Sequence, residues 1–552
     1  MCFIWHTPSS IMKKTVLFLS LLISIVVAQT HSLKEIKAMP KSISKDYYIW
    51  RFIGDKRNSK KEALEAYKWI KRKNAKLKKA IRKKAGQIPR DKKVKKRSID
   101  PKNFIIYPAT AGKKSKKSLK RLYKKIKKQG KYSDILKVMS DKEPFKVLET
   151  LKPQTQCYIF NNCKGKYRKK YFNHPFTQEN LQKLIGEKQF NKSIHFIVTT
   201  PRLTKLKASL VDINITEEST ITALSFSSRF LLAMNAIDLS KIKEAEKYLE
   251  LALLKAIYSS QKDKCNFWLY LVNRDKKHLE KLLKSSSVNL YTLRARDILD
   301  KPYPQVITPT LPFGFVPNFD LYNPIDWEKI KIEMEMKMKK SPKSLDELAK
   351  KYNTYLTTGI YSFIKEKADN YQKAYYPMPY MEGMVGLKKE RVALLYAIGR
   401  QESRFVPASV SSSYALGMMQ IMPFLIKHLA KERKEKLDLD QMFDPYVAIS
   451  YANQHLNYLN KKLYHPLFLA YAYNGGIGFT RRTIRSKHLF KSGKYEPYLS
   501  MELIDYEESK KYGKKVLTNY VIYMNILGEK IKITPLLNVL DDPKKTDRYR
   551  KK

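Results

Sequence analysis

Acidic residues are scarce in this 552-residue chain: 51 Asp and Glu stand against 110 Lys and Arg, a formal charge of +59 at pH 7. An excess of that size argues for an anionic partner or an anionic neighbourhood, with a proteome-wide lysine bias as the plain alternative. Nucleic acid, anionic lipid and an acidic cell-wall polymer all qualify. Cysteine is also sparse, four in all, with no zinc-site spacing and no pair of His at ligand spacing. Tryptophan is scarce at 5 residues while tyrosine is abundant at 37. After the first 28 residues no long apolar run remains, which argues against a membrane span in the rest of the chain.

The early apolar run reads as a leader. From Met12 the chain runs MKKTVLFLSLLISIVVAQTHS: Lys13 and Lys14, a short apolar stretch from Thr15 to Val27, and small residues ending at Ala28. That order is the pattern of a secretory signal peptide, so residues 1–28 are expected to be removed, with Met12 as the natural start. A soluble exported protein is expected, located in the periplasm. Export permits disulfides, and Cys157 and Cys163 could close a small loop, leaving Cys265 free.

Length over ~150 gives about three or four domains. Residues 29–300 read as helix after helix, with KKEALEAYKWIKRKNAKLKKAIRKKAG stopped by Gly86 and KIKEAEKYLELALLKAIYSSQ apolar at helical spacing. Short helices joined by polar turns predict an α-superhelical, solenoid-like region without a strict repeat. SIHFIVTT is the best strand-like run. Residues 113–131 hold no acidic side chain and read as a solvated basic face or a polyanion contact. Proline and glycine break the pattern at 301–325; a helix is expected from Trp327, and a second break falls at 375–387. The reading is therefore mainly α: superhelix, a linker domain over 301–375, a catalytic α domain over 376–535, and a charged tail over 536–552, frayed from Asp541.

The chemistry concentrates after residue 390. In VALLYAIGRQESRFVP, Glu402 follows Leu395, Ile398 and Gly399 by seven, four and three residues, which places its carboxylate on the face due for burial. An ion pair with Arg400 or Arg404 is the bland explanation. Burial for proton transfer is the other, because a buried carboxyl holds its proton to higher pH. Downstream come ESRFVPASVSSSYALGMMQIMP, AYNGG, and EESKKYGKKVL. His455 reads as a core or surface histidine. Asp444 before Pro445 reads as a helix cap.

These residues resemble the catalytic domain of the soluble lytic murein transglycosylases, a goose-type lysozyme-like fold. The first motif is Glu402, Ser403, Phe405, Pro407 and Ser411; the second is Gly417, Met419, Gln420, Met422 and Pro423, with Met418 in place of Leu. The third is Ala472, Tyr473, Asn474, Gly475 and Gly476; the last is Glu508, Ser509, Tyr512, Gly513, Val516 and Leu517. Tyr414 stands where the family commonly has Gly. The long relatives carry an α-superhelical ring and a linker before this domain, which suits the first half.

The resemblance implies cleavage of the β-1,4 bond between N-acetylmuramic acid and N-acetylglucosamine without water. Glu402 acts as acid and then as base, and 1,6-anhydro ends form. No acid between Glu402 and Asn474 belongs to a matched motif, which suits a mechanism assisted by the substrate's N-acetyl group rather than by a second carboxylate. No cofactor and no metal are implied. Ser411 is expected near Glu402 or the N-acetyl group, and Gln420 on the sugar's polar atoms. Met419 and Met422 line the groove, unless one is plain core. Tyr473 and Tyr512 offer rings or hydroxyls, Asn474 binds sugar or fixes its turn, and Glu508 orients a group or pairs with Lys510 or Lys511. The partner is the peptidoglycan glycan strand, with cell-wall synthesis or remodelling proteins as further candidates. A non-catalytic peptidoglycan scaffold, a muramidase-type hydrolase and a nucleic-acid binder are the competing readings; the leader and the absence of a nucleic-acid motif weigh against the last.

Overall fold

A computed structural model describes residues 31–86, 105–126, 130–211, 213 and 223–550. The expected leader lies outside the described residues. Among those residues the regular elements are all helices, and the β pairing is confined to isolated bridges such as Ile307 with Tyr375.

The first half is built from short helices that pack on their sequence neighbours. After helix α1 (Ile43–Gly54), the run expected as one helix up to Gly86 is broken into two, Lys60–Lys68 and α2 (Ala75–Ala85), because Asn74 caps a new start by accepting from the Leu77 amide; α2 ends at Gly86 with φ 76°. That cap is the stop expected from sequence. The strand-like SIHFIVTT is instead helical, as α3 (Phe190–Val198). Its buried Phe190, Ile194, Ile197 and Val198 fall at helical spacing, and that packing overrides the β preference of the single residues. Helices α4 (Phe226–Asp238), α5 (Ile242–Leu254) and α6 (Ser259–Asn273) then stack in succession. Ala245, Tyr248, Leu249 and Ala252 of α5 form its buried stripe. In the basic segment, the helix Lys116–Ile126 buries Leu119 and Ile126 and turns Lys117, Lys120 and Lys124 to solvent. Cys157, Cys163 and Cys265 are all buried and free, so the loop closure is not made.

Residues 301–323 contain no helix. Helix α7 (Pro324–Lys340) begins three residues before Trp327 because Asn323 caps it, accepting from the Ile325 amide at 2.9 Å, with Pro324 at the first position. Trp327, Ile330, Met334, Leu345, Leu348 and Ile364 form a small core of their own, completed by Val406 and Ala408.

The last region centres on one long helix. Helices α8 (Lys389–Glu402), α9 (Pro423–Arg433), α10 (Pro445–Asn460), α11 (Pro466–Gly475), α12 (Tyr498–Leu503) and α13 (Glu507–Ile526) make up the rest of the site's frame. Helix α13 packs against both α8 and α11. Asp444 caps α10 as expected, accepting from the amides of Tyr446 and Val447. The tail is not frayed. Thr546 and Asp547 are buried, Arg550 pairs with Asp547 at 2.8 Å and donates to the Phe490 carbonyl at 2.9 Å. The charges of Asp547 and Arg550 meet one another and the backbone, while Lys544, Lys545 and Arg548 stay exposed.

Candidate active site

An acid ends an apolar helix here. Helix α8 is buried on every side from Val392 to Gly399, more than one face of it. It stops at Glu402 because Arg404 and Phe405 both turn left-handed, at φ 59° and 63°. Each such non-glycine residue costs about 1–2 kcal/mol. The strain is offset by packing: the Phe405 ring folds back under the helix, fully buried, beside Tyr396 at 5.8 Å. Only glycine at 399 permits this, since a Cβ there would lie 2.9 Å from that ring.

The ion-pair explanation fails. Arg400 and Arg404 both reach Glu366, at 2.8 and 3.3 Å, and Arg400 also lies over the Tyr376 ring at 3.9 Å. Glu402 meets no cation among the described residues. It accepts one hydrogen bond, from the Tyr512 hydroxyl at 2.7 Å. Tyr512 is buried and its own hydroxyl pKa is pushed well up, by burial first, so it stays a neutral donor. Burial pushes the Glu402 carboxyl up to about 8; the Tyr512 bond opposes this, and the Glu508 charge adds to it. Glu402 remains half-buried rather than sealed. A carboxyl that holds its proton at neutral pH and stays reachable is the group a general acid requires.

The other expected site residues divide into two groups. Tyr473 stands with Glu402 and Tyr512: the Glu402 charge bears on its hydroxyl, which donates to the Met419 carbonyl at 2.8 Å. Asn474 and Glu508 form a second cluster. The Asn474 amide donates to Glu508 at 3.1 Å, and Ser509 donates to the Asn474 oxygen at 2.6 Å. Glu508 is exposed and also receives the Tyr506 hydroxyl at 3.2 Å. Its alternative partners Lys510 and Lys511 pair with Glu507 instead. His455 lies beside Tyr473, 5.7 Å between rings, and burial pushes it down to about 4, so it is a neutral neighbour.

Ser411, Gln420 and the methionines build the loop below. The Ser411 hydroxyl oxygen accepts from the Ala415 amide at 2.9 Å and does not contact Glu402. The Gln420 amide nitrogen donates to the carbonyls of Ser409 and Gly417, at 3.1 and 2.8 Å. Both of its N–H bonds therefore hold the loop, and only its oxygen is left for a ligand. Gly417, at φ 74°, passes so close to the Met442 carbonyl that a Cβ would sit 2.0 Å from it. Met419 is fully buried and belongs to the core, while Met422 is half-buried at the start of α9.

Several contacts have no local sequence signal. The Ser403 hydroxyl donates to the Met418 carbonyl at 2.8 Å, tying the end of α8 to the loop. Tyr414, at φ 60°, is fully buried between Tyr47 and Trp50 of α1, with ring separations of 6.0 and 5.6 Å. Lys76 of α2 donates to the Ser413 carbonyl at 2.7 Å. Arg51 grips Asp438 at 2.6 Å, and the Tyr47 hydroxyl donates to Asp440 at 2.6 Å. The first helices thus brace the loop that carries Ser411. The unusual Tyr414 was legible as a departure, but its partner Asp46, 368 positions away, was not.

Compared with known proteins, residues 387–495 match the family model Transglycosylase SLT domain. The chain carries a transglycosylase SLT domain. Over 137 residues the chain is 29% identical to the soluble lytic murein transglycosylase of Salmonella typhimurium and, over the same length, 30% identical to that of Escherichia coli K12. Each match covers 24% of this chain and 21% of the relative, so about four-fifths of each relative's length lies outside it. A solved structure of an inactive mutant of the lytic transglycosylase Slt from Pseudomonas aeruginosa aligns over 96% of this chain and 77% of its own, at 14% identity and TM-score 0.44. The 70 kDa soluble lytic transglycosylase of Escherichia coli aligns over 90% and 83%, at 16% identity and TM-score 0.45.

Proposed function

We propose that the chain is an exported lytic transglycosylase that cuts the β-1,4 bond between N-acetylmuramic acid and N-acetylglucosamine in peptidoglycan, serving cell-wall turnover in the periplasm. The observation that carries this reading is Glu402: reachable, free of any cation among the described residues, and with its carboxyl pushed up to about 8. Protonated Glu402 gives its proton to the glycosidic oxygen, and the bond from that oxygen to C1 breaks. The substrate's N-acetyl oxygen bonds to C1 and carries the positive charge that develops there. The Glu402 carboxylate then takes the proton of the muramyl C6 hydroxyl, whose oxygen bonds to C1 and releases the N-acetyl group. No water enters, and Glu402 ends protonated as it began. Tyr512 holds the carboxyl oriented through both transfers.

The hydrolase reading needs a second carboxylate beside the scissile bond. Glu508 is the carboxylate whose charge bears on Glu402, but it is exposed and tethered by Asn474 and Tyr506. Mass analysis of products from purified sacculi separates the readings. Anhydro ends lack one water relative to reducing ends; products with reducing ends alone would make the chain a hydrolase, and no products a scaffold.

A further inference from the structure

A cavity of about 360 Å³ borders the small core around α7. That volume falls within the range of small-molecule sites, about 300–1,000 Å³. Phe319, Ile330 and Tyr352 give it apolar walls, and the Phe319 and Tyr352 rings meet edge to face at 5.2 Å. Ile330 and Tyr352 also belong to the core that Val406 and Ala408 complete, which ties the cavity to the segment just after Glu402. Four charged side chains line it, and they pair among themselves: Lys329 with Asp326 at 2.8 Å, and Lys351 with Glu333 at 3.0 Å. In a chain of +59 the cavity is charge-balanced. Its hydrogen-bonding capacity is not used up. Glu333 accepts from Lys351 through one oxygen, and the other has no partner among the described residues. The Tyr352 hydroxyl has none either, and the charges that bear on it are those of Glu333 and Asp326.

Those features narrow the ligand. A small ion of either sign would have to break one of the two pairs. An apolar molecule would strip water from four charged groups and a hydroxyl and return no hydrogen bond, which is unfavourable. A neutral polyhydroxy ring meets both conditions. Its hydroxyls donate to the spare Glu333 oxygen and accept from the lysines and the Tyr352 hydroxyl, while its C–H face rests on an aromatic wall. The rim extends the same surface outward. Phe313 and Phe315 are 87% and 84% exposed, more than any other large apolar side chain among the described residues, and Val316, next in the chain, lines the cavity. Their loop is held in place: the Phe313 ring packs on Tyr355 at 5.1 Å, and the Tyr355 amide donates to the Pro312 carbonyl at 2.8 Å. Aromatic faces presented to water beside a sugar-sized cavity suit the further rings of an oligosaccharide.

We propose that this cavity holds an uncharged hexosamine ring of a glycan strand, as a second sugar site apart from Glu402, with Phe313 and Phe315 supporting the sugars that continue from it. That the strand is peptidoglycan rests on the reading of the Glu402 site; the preference for a neutral sugar does not. The test counts sites by calorimetric titration of the full chain carrying Glu402→Gln, which consumes no ligand. The probe is N-acetylchitotetraose, an uncharged tetramer of N-acetylglucosamine. Glu333→Gln with Lys351→Met removes one ion pair whole and strands no charge. Both side chains are partly exposed, so this paired variant should melt with the parent. Its stoichiometry should fall by one. In the parent, affinity at the lost site should not change between low and high salt. Tyr352→Phe should weaken that site about fivefold. Phe313→Ala with Phe315→Ala should weaken the tetramer there about tenfold and the dimer little. Unchanged stoichiometry in the paired variant, unmoved tetramer affinity in either of the other two, affinity that falls with salt, or preference for the cationic glucosamine tetramer would each overturn the proposal. If the Glu402 site takes no glycan, the parent shows one site and the paired variant none, so a failure of the transglycosylase reading is told apart from a failure of this one.

Discussion

Around Glu402 the surroundings are apolar and a single tyrosine hydroxyl reaches the carboxylate; around Glu502, on α12, the polar groups crowd in. Lys264 reaches Glu502 at 2.6 Å, Lys514 pairs with its other oxygen, and the Tyr291 hydroxyl donates to that oxygen as well. Glu402 is half-buried and Glu502 fully buried, in the same half of the chain. Burial pushes the first up to about 8. In the second, burial also pushes upward, but Lys264, Lys514 and Lys510 together outweigh it and hold the carboxyl far below the usual carboxylate range. Burial alone therefore does not make an acid catalyst. The absence of a cation at Glu402, with Arg400 and Arg404 both diverted to Glu366, is what leaves its proton in place.

The sharpest way to break this contrast is Glu402→Gln. The amide keeps the shape and cannot transfer a proton. Formation of anhydro products should fall by about 10²–10⁴-fold or more, while the melting temperature at neutral pH stays equal or rises. A fall in stability with activity retained per folded molecule would return Glu402 to a structural role.

Glu502→Gln should do the reverse. It strips the counter-charge from Lys264 and Lys514, and removing one partner of a buried ion pair costs about 3–5 kcal/mol. Chemical denaturation should show that loss, with activity per folded molecule little changed. A variant as stable as its parent would mean that the lysines, Lys514 already pushed down to about 7, simply lose their protons.

Chain distance decides how much of this was legible. The order Glu402, Gly417, Tyr473, Tyr512 and the burial of Glu402 could be read because motif and helical spacing are local. The left-handed pair Arg404 and Phe405 that ends α8 was not legible, because neither carries a glycine signal. Spacing left open whether Met419 or Met422 is core, and only packing assigns Met419 to it; nor did it show that both N–H groups of Gln420 tie carbonyls of its own loop. The clasp of Glu366 on Arg400 spans 34 residues, and Tyr291 reaches Glu502 across 211. No short-range pattern announces such pairs. The helix over SIHFIVTT shows the same limit, since stacking decided it.

The pH dependence gives a gentler test of the same contrast. The folded Glu402 carboxyl lies above its ordinary value of 4.5, so its contribution to stability is full below pH 4.5 and is lost as pH rises toward 8. Glu502 lies below its ordinary value, so its contribution is present above pH 4.5 and is lost as pH falls. Relative to the parent, Glu402→Gln should therefore gain stability between pH 4.5 and 8, and Glu502→Gln should be least harmful in acid. Parallel stability–pH curves for the two variants would remove the distinction.

The smallest effect is expected at Tyr512→Phe, which deletes only the hydroxyl that reaches Glu402. Two roles of that hydroxyl make separable predictions. As a donor it favours the charged carboxylate, so its loss should raise the Glu402 pKa beyond about 8. A hydrogen bond to a charged group is worth about 1.5 kcal/mol or more, which moves the alkaline limb of kcat/KM up by about one pH unit. As a positioning group it fixes the carboxyl for both proton transfers, so the plateau rate should fall, by about tenfold if the same energy is lost in the transition state. The limb and the plateau are read from one pH–rate profile. A lowered plateau with an unmoved limb would leave Tyr512 as an orienting group alone. A limb that moved down instead of up would show that burial is not what keeps the proton on Glu402, and the contrast with Glu502 would need another cause.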